Sequence, residues 1–122
     1  MGIFDIFKRK PPAVEPTDTC DYTQICSHKE AERHFNKGHL DKLHLIGLVF
    51  GGDDSPFNIL YVSPEAALQK REIDNYIVDL LQQGYKVQYK AFPEYKGNSF
   101  VPSKVIIEVD GDQVFTKEIE IW

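Results

Sequence analysis

The alternation of apolar and polar residues predicts two neighbouring strands in the first half of the chain. Residues 43–50 are apolar at both alternating sets of positions except at His44, which is typical of a strand buried on both faces. Residues 57–62 follow the same pattern after a turn-forming cluster at 51–56. One long helix covers one face of such strands, so the short first helix, the N-terminal apolar residues or a second subunit must cover the other.

Capping residues predict two helices. Ser27 and Glu30 form a capping box that begins a short helix at 28–37. Ser63, followed by a proline, begins a long helix at 64–83. The apolar residues of the long helix recur at helical spacing on one face: Ala66, Ile73, Ile77, Leu80 and Leu81.

The C-terminal third predicts three further strands. Residues 85–92 alternate as a half-buried strand, and 104–109 and 114–122 form a hairpin about an Asp-Gly turn. The complete pattern predicts an α+β fold. It has a largely antiparallel sheet of about five strands, the long amphipathic helix at 64–83 and the short N-terminal helix at 28–37.

Proline content separates an N-terminal arm from a single domain. We predict an arm or linker over residues 1–19, which include three prolines, and one α+β domain over 20–122. The arm packs on the domain, docks on a second copy or hangs free. The sequence does not favour membrane binding, which only three arm residues would serve: Ile3, Phe4 and Phe7.

Composition predicts a globular cytoplasmic protein, in a style that suggests a bacterium. Apolar residues make up 42% of the 122 residues, and no apolar run is long enough to span a membrane. The two cysteines are expected to be reduced thiols. The formal net charge of −5 argues against nucleic acid as a partner, since proteins that bind it through bulk charge are basic.

The segment at 85–100 interleaves aromatic residues with lysines and is the predicted binding surface. As a protein-interaction module, the chain would use it to contact another protein or a second copy of itself. As an alternative, the same stretch could stack single-stranded nucleic acid. The predicted contact residues are Tyr89, Phe92, Tyr95, Lys96 and Phe100.

Three short blocks support the nucleic-acid alternative. The order of DSPFN at 54–58, YVSPEAA at 61–67 and LLQQG at 80–84 resembles that of HIRAN domains. The resemblance implies binding of DNA ends.

All cysteines and histidines of the chain lie within residues 20–44, which makes a zinc-binding domain a further alternative. The spacing contains no C-x2-C pair, so no metal and no cofactor is predicted. If a metal were bound, we expect its ligands to be Cys20, Cys26, His28 and His34.

Motifs for catalysis are absent from the sequence. There is no G-x-S-x-G elbow, no H-E-x-x-H pair and no phosphate-binding glycine loop. Asp53 and Asp54 are explained by turn chemistry. The sequence therefore predicts no catalytic residues and a small non-enzymatic cytosolic protein that acts through protein–protein interaction.

Overall fold

The computed structural model describes residues 22–122, so the predicted arm and Cys20 lie outside the described residues. Short 3-10 turns occupy Tyr22–Gln24 and Leu48–Phe50. The helices are α1 at His28–Asn36 and α2 at Pro64–Gln82. The strands are β1 at Asp41–His44, β2 at Ile59–Val62, β3 at Val87–Glu94, β4 at Lys104–Gly111 and β5 at Phe115–Glu120.

All described strands pair antiparallel, and they form two sheets. Strands β1 and β2 make a two-stranded sheet in which Leu43 lies opposite Leu60. Strands β3, β4 and β5 make a three-stranded sheet in that order, with Tyr89 opposite Val109. The prediction of an α+β fold with about five antiparallel strands is confirmed.

Helix α2 packs against both sheets and carries the main core. Its N-cap, Ser63, accepts a hydrogen bond from the amide of Ala66, which satisfies one of the unpaired donors of the first turn. The core that α2 forms with the two sheets includes Leu43, Val62, Ala67, Ile77, Val105 and Ile107. Of the predicted apolar face, Ala66, Ile77 and Leu80 are buried and Ile73 is half-buried, whereas Leu81 is 43% exposed.

Helix α1 covers the second face of the β1–β2 sheet. Adjacent residues of a strand point to opposite faces, so Tyr61 faces away from the main core to which Val62 belongs. Tyr61 packs in a second cluster with Ala31 of α1, and its ring lies 5.9 Å from that of Phe35. Of the three candidates for this cover, the short helix is the one the described residues provide.

The prediction of one buried strand over 43–50 is wrong. Strand β1 ends at His44, and the side chains of Ile46, Leu48 and Val49 are 53%, 61% and 55% exposed. The physical reason is where the backbone hydrogen bonds go. The amide and carbonyl of Ile46 bond to the Asn58 side chain, which replaces a neighbouring strand.

None of the helices between residues 22 and 122 is long and apolar enough to cross a membrane.

Candidate functional site

A buried ion pair lies on the inner face of α2. Lys70 and Asp74 are one helical turn apart, and the Lys70 Nζ donates to both carboxylate oxygens of Asp74 at 2.8 Å. The two residues are only 1% and 4% exposed. Withdrawing two charges from water is costly even when they pair, so such a pair contributes little net stability and indicates a specific role.

Tyr89 and Gly47 enclose the ion pair. The Lys70 Nζ lies 5.5 Å from the centre of the Tyr89 ring. The Tyr89 hydroxyl donates to the Leu45 carbonyl at 3.1 Å and accepts from the Gly47 amide at 3.2 Å. A Cβ on Gly47 would collide with the Asp74 Oδ2, so glycine is needed there for close approach.

Burial shifts the ionisation of the enclosed groups. Burial lowers the pKa of the Lys70 ammonium, and the hydrogen bond and charge of Asp74 oppose that change. Burial raises the pKa of the Asp74 carboxyl, opposed by Lys70 and by His44. The pKa of the Tyr89 hydroxyl is also raised by burial.

A cleft of about 270 Å³ opens beside the ion pair, between β1, the Leu48–Phe50 turn and α2. We call it the basic cleft. Its charged and titratable lining residues are Lys42, His44, Lys70, Arg71 and Asp74. Three formal cations and one carboxylate line it, in a protein whose overall formal charge is −5. Lys70 is paired with Asp74, the Arg71 guanidinium lies 3.9 Å from the Asp41 carboxylate, and the Lys42 ammonium lies 5.0 Å from the centre of the Phe35 ring. The Arg71 side chain is 58% exposed, so it remains accessible to an anion that enters the cleft.

His44 at the end of β1 is held by a carboxylate from the following loop. Its Nε2 lies 2.8 Å from the Oδ1 of Asp54, and the two side chains are 16% and 71% exposed. A carboxylate on one imidazole nitrogen fixes the orientation of the ring. The arrangement suits His44 to accept a proton at its other nitrogen, Nδ1.

The loop that carries Asp54 is braced by one buried side chain. Asn58 is 8% exposed, and its side-chain nitrogen donates to the carbonyls of Ile46 and Asp53 at 3.0 and 2.9 Å. Its side-chain oxygen accepts from the Ile46 amide at 2.7 Å. One amide side chain thus connects the end of β1 with the Asp54 loop.

The structure divides the five predicted contact residues between two faces of β3 and the loop after it. Tyr89 lies inward against the ion pair, whereas Phe92 is on the outer face and 38% exposed. Tyr95 is 49% exposed, and the Lys96 ammonium bonds to the Trp122 carbonyl at 2.9 Å. The Phe100 ring packs edge-on against His28. The alternation of β3 separates residues that the sequence places side by side.

The described members of the Cys/His group lie against different neighbours. The Cys26 thiol donates to the Thr23 carbonyl at 3.4 Å, and the His28 ring packs against Tyr61. His34 contacts His39 instead. Within residues 22–122, no three His, Cys, Asp or Glu side chains gather as a metal site.

Sequence analysis missed Lys70, Asp74 and His44 as a group. The signal for the ion pair is present in the sequence, because both residues fall on the apolar stripe of α2, one turn apart. His44 was noted only as a polar interruption of a strand. No local pattern connects it with α2, since tertiary folding brings the two together.

Comparison with known proteins finds a solved structure that is similar to this chain. No family model and no curated protein matches the chain. Among solved structures, that of Sda1 nuclease with bound zinc ion is similar, with a TM-score of 0.61 and 23% sequence identity. The similarity covers 69% of this chain and 39% of the nuclease, so this chain spans well under half of that protein. At this identity the similarity shows a shared fold.

This similarity corrects three predictions. The interpretation as a non-enzymatic protein-interaction module is wrong, because a nuclease has this fold. The prediction that the chain is not an enzyme is wrong for the same reason, as is the low weight given to nucleic acid as a partner. These predictions were drawn from the net charge of the chain and from motifs of neighbouring residues. Neither signal shows a cleft whose lining residues come from both β1 and α2.

The zinc ion of the similar nuclease has no equivalent ligand set among the described residues. Zinc sites use three or four nitrogen, sulfur or carboxylate ligands. His44 and Asp54 form a pair, and no third such side chain joins them within 22–122. His44 and Asp54 therefore do not fit a zinc centre.

Proposed function

We propose that this chain is a nucleic-acid-binding domain that hydrolyses phosphodiester bonds at the basic cleft. The observation that carries the proposal is that one cleft of an acidic protein is lined by three cations, Lys42, Lys70 and Arg71, of which Arg71 is 58% exposed. Each phosphodiester carries a negative charge that such a site attracts. The fold shared with a nuclease supports the same class of ligand.

The residues of the cleft take separate roles in this proposal. Arg71 binds the non-bridging phosphate oxygens, and the Lys42 ammonium leaves the Phe35 ring to join it. His44, oriented by Asp54 at Nε2, accepts a proton at Nδ1 from the water that attacks phosphorus. The new P–O bond forms as the bond to the leaving oxygen breaks, and that oxygen takes up a proton. Lys70 acts as a positioning residue: it is paired with Asp74 and packs against the Tyr89 ring, which holds this part of α2 in place.

Binding is tested by fluorescence anisotropy with a labelled single strand and a duplex of the same sequence. Two cations contacting phosphates give a slope of log K against log salt of about −1.4 for a single strand. Arg71→Ala is expected to weaken binding and reduce that slope by about half. Lys117→Ala removes an exposed lysine from β5 and is the matched control, with unchanged binding.

Hydrolysis is tested with the same substrates in separate reactions with magnesium, with zinc and with a chelator. Loss of a general base costs roughly 10²–10⁴-fold in rate. We expect His44→Ala to lose that much while its anisotropy binding stays within twofold, and Asp54→Asn to lose less. If the wild-type chain binds no nucleic acid and cleaves none under any of these conditions, the proposal fails.

The basic-aromatic stretch at 85–100 is the competing nucleic-acid surface. Phe92, Tyr95 and Phe100 expose 38%, 49% and 37% of their area, which keeps stacking possible there. A triple variant separates the two surfaces by removing three lysines of this stretch: Lys86, Lys90 and Lys96. Weaker binding in this variant with unchanged binding in Arg71→Ala would move the site from the cleft to the stretch.

A further inference from the structure

Two imidazole rings face each other at the end of α1. The Nδ1 atoms of His34 and His39 are 3.1 Å apart, and the ring centres are 5.3 Å apart. Both residues are half-buried. This contact lies away from the basic cleft, whose lining includes neither residue.

The backbone at the end of the helix fixes this contact. Gly38 adopts a positive φ of 82°, and its amide donates to the Phe35 carbonyl at 3.0 Å. The His39 amide donates to the His34 carbonyl at 2.9 Å. These two bonds define a Schellman motif, in which the residues at the positions of His34 and His39 commonly make an apolar contact. Here two histidines occupy those positions.

The separation of the two nitrogens suits a single metal ion. Metal–imidazole bonds of about 2.05 Å at a tetrahedral angle place two nitrogen ligands about 3.3 Å apart. The observed 3.1 Å is close to that value. Turning each ring so that its Nδ1 lone pair points about 35° off the line joining the two nitrogens would aim both lone pairs at one ion. The fixed backbone means that little ordering is needed for chelation.

We propose that His34 and His39 form a two-imidazole site for a first-row transition-metal dication, with water completing the coordination. Two protein ligands are fewer than a zinc centre uses, so the ion expected here is Cu²⁺, which stands first in the intrinsic order of affinity and binds imidazole well. This site differs from the Cys/His group expected from the sequence, because it uses His39 and neither cysteine. It is independent of the nuclease proposal.

Metal binding moves one hydrogen from Nδ1 to Nε2 of one imidazole ring. In the metal-free protein one Nδ1 carries the hydrogen that it donates to the other. When both Nδ1 atoms bind the metal, that hydrogen moves to Nε2 of the same ring, and both rings remain neutral. Burial, followed by the nearby Arg33 charge, lowers the pKa of His34, which favours the neutral ring at pH 7.5.

The surrounding charges predict how the site responds to salt. Arg33 and Lys37 disfavour a further positive charge at His34, and Glu30 favours it. The cations outnumber the carboxylate, so a bound dication is repelled. Because salt screens that repulsion, affinity should rise with ionic strength in a non-coordinating salt.

The test measures Cu²⁺ binding to the full chain at pH 7.5 by competition with a coloured chelator. We expect His34→Ala and His39→Ala each to weaken the affinity of one site by at least about tenfold, as even outer-shell changes cost 10–100-fold. His28→Ala and Cys26→Ser test the other ligand group and should leave that site unchanged. With Zn²⁺, imidazole NMR should show that the one ring with its hydrogen on Nδ1 converts, so that both His34 and His39 are protonated at Nε2.

Three results would overturn the proposal. They are no Cu²⁺ binding by the wild-type chain, equal affinity in the wild type and His39→Ala, or loss of the site in Cys26→Ser. Circular dichroism of each variant at the assay temperature confirms that it is folded. Should His34→Ala unfold, His34→Gln keeps a polar side chain at the helix end and removes the imidazole.

Discussion

The buried Lys70–Asp74 pair makes the sharpest stability prediction. Asp74→Asn keeps the side-chain size and leaves the Lys70 ammonium buried beside a neutral amide. Two unit charges 2.8 Å apart attract by about 6 kcal/mol at an effective dielectric constant of about 20. Desolvation offsets part of this, and breaking a buried pair typically costs about 3–5 kcal/mol. We expect Asp74→Asn to lower the free energy of unfolding by that amount.

Urea denaturation and thermal melting followed by circular dichroism measure the change. For a domain of this size, the melting temperature falls by about 4–8 °C per kcal/mol. Lys70→Met combined with Asp74→Leu replaces the pair with apolar side chains and should restore stability close to that of the wild type. Asp79→Asn, an exposed carboxylate on the same helix, should change it by less than about 0.5 kcal/mol.

The pH dependence of stability has a defined sign, because burial raises the pKa of Asp74 and lowers that of Lys70 in the folded state. Both changes favour the neutral forms of the two side chains. The folded pKa of Asp74 is raised, so stability relative to the Lys70→Met/Asp74→Leu variant falls as pH rises above 3.8, the ordinary pKa of an aspartate. The folded pKa of Lys70 is lowered, so relative stability increases as pH rises toward 10.5. If Asp74→Asn is as stable as the wild type, or the double variant is as unstable as Asp74→Asn, the ion-pair argument is refuted.

Three further substitutions test the surroundings of the site and the first helix. The backbone at Gly47 accepts alanine, since φ is −60°. Any loss of stability that thermal melts show for Gly47→Ala therefore measures the collision of the new Cβ with Asp74. That loss should shrink in a Gly47→Ala/Asp74→Ala variant. Asn58→Ala leaves part-buried backbone groups of Ile46 and Asp53 without their side-chain partner and should cost about 1–3 kcal/mol in urea denaturation, with the proposed phosphodiester hydrolysis falling as the Asp54 loop loosens. Ser27→Ala removes the hydrogen bond to the Glu30 amide and should cost about 1 kcal/mol, while Ser27→Asp should retain most of it.

The elements that the sequence predicts well are those whose signals are local. Ser27 and Ser63 cap α1 and α2 through hydrogen bonds to residues three positions away, so a short stretch of sequence contains both partners. The 43–50 segment fails because its conformation depends on Asn58 and on the Tyr89 hydroxyl, which accepts from Gly47. An apolar run indicates burial only when its backbone groups have strand partners.

The candidate site illustrates the same distinction for function. Lys70 and Asp74 were accessible to sequence reasoning, because two charged residues on an apolar helix stripe must pair or become neutral. His44 was not, since its relation to that pair depends on how β1 packs against α2. Missing catalytic motifs therefore exclude only sites built from neighbouring residues. An acidic chain can still present a basic cleft, because net charge sums over a surface whereas a phosphate experiences the charges within about 10 Å.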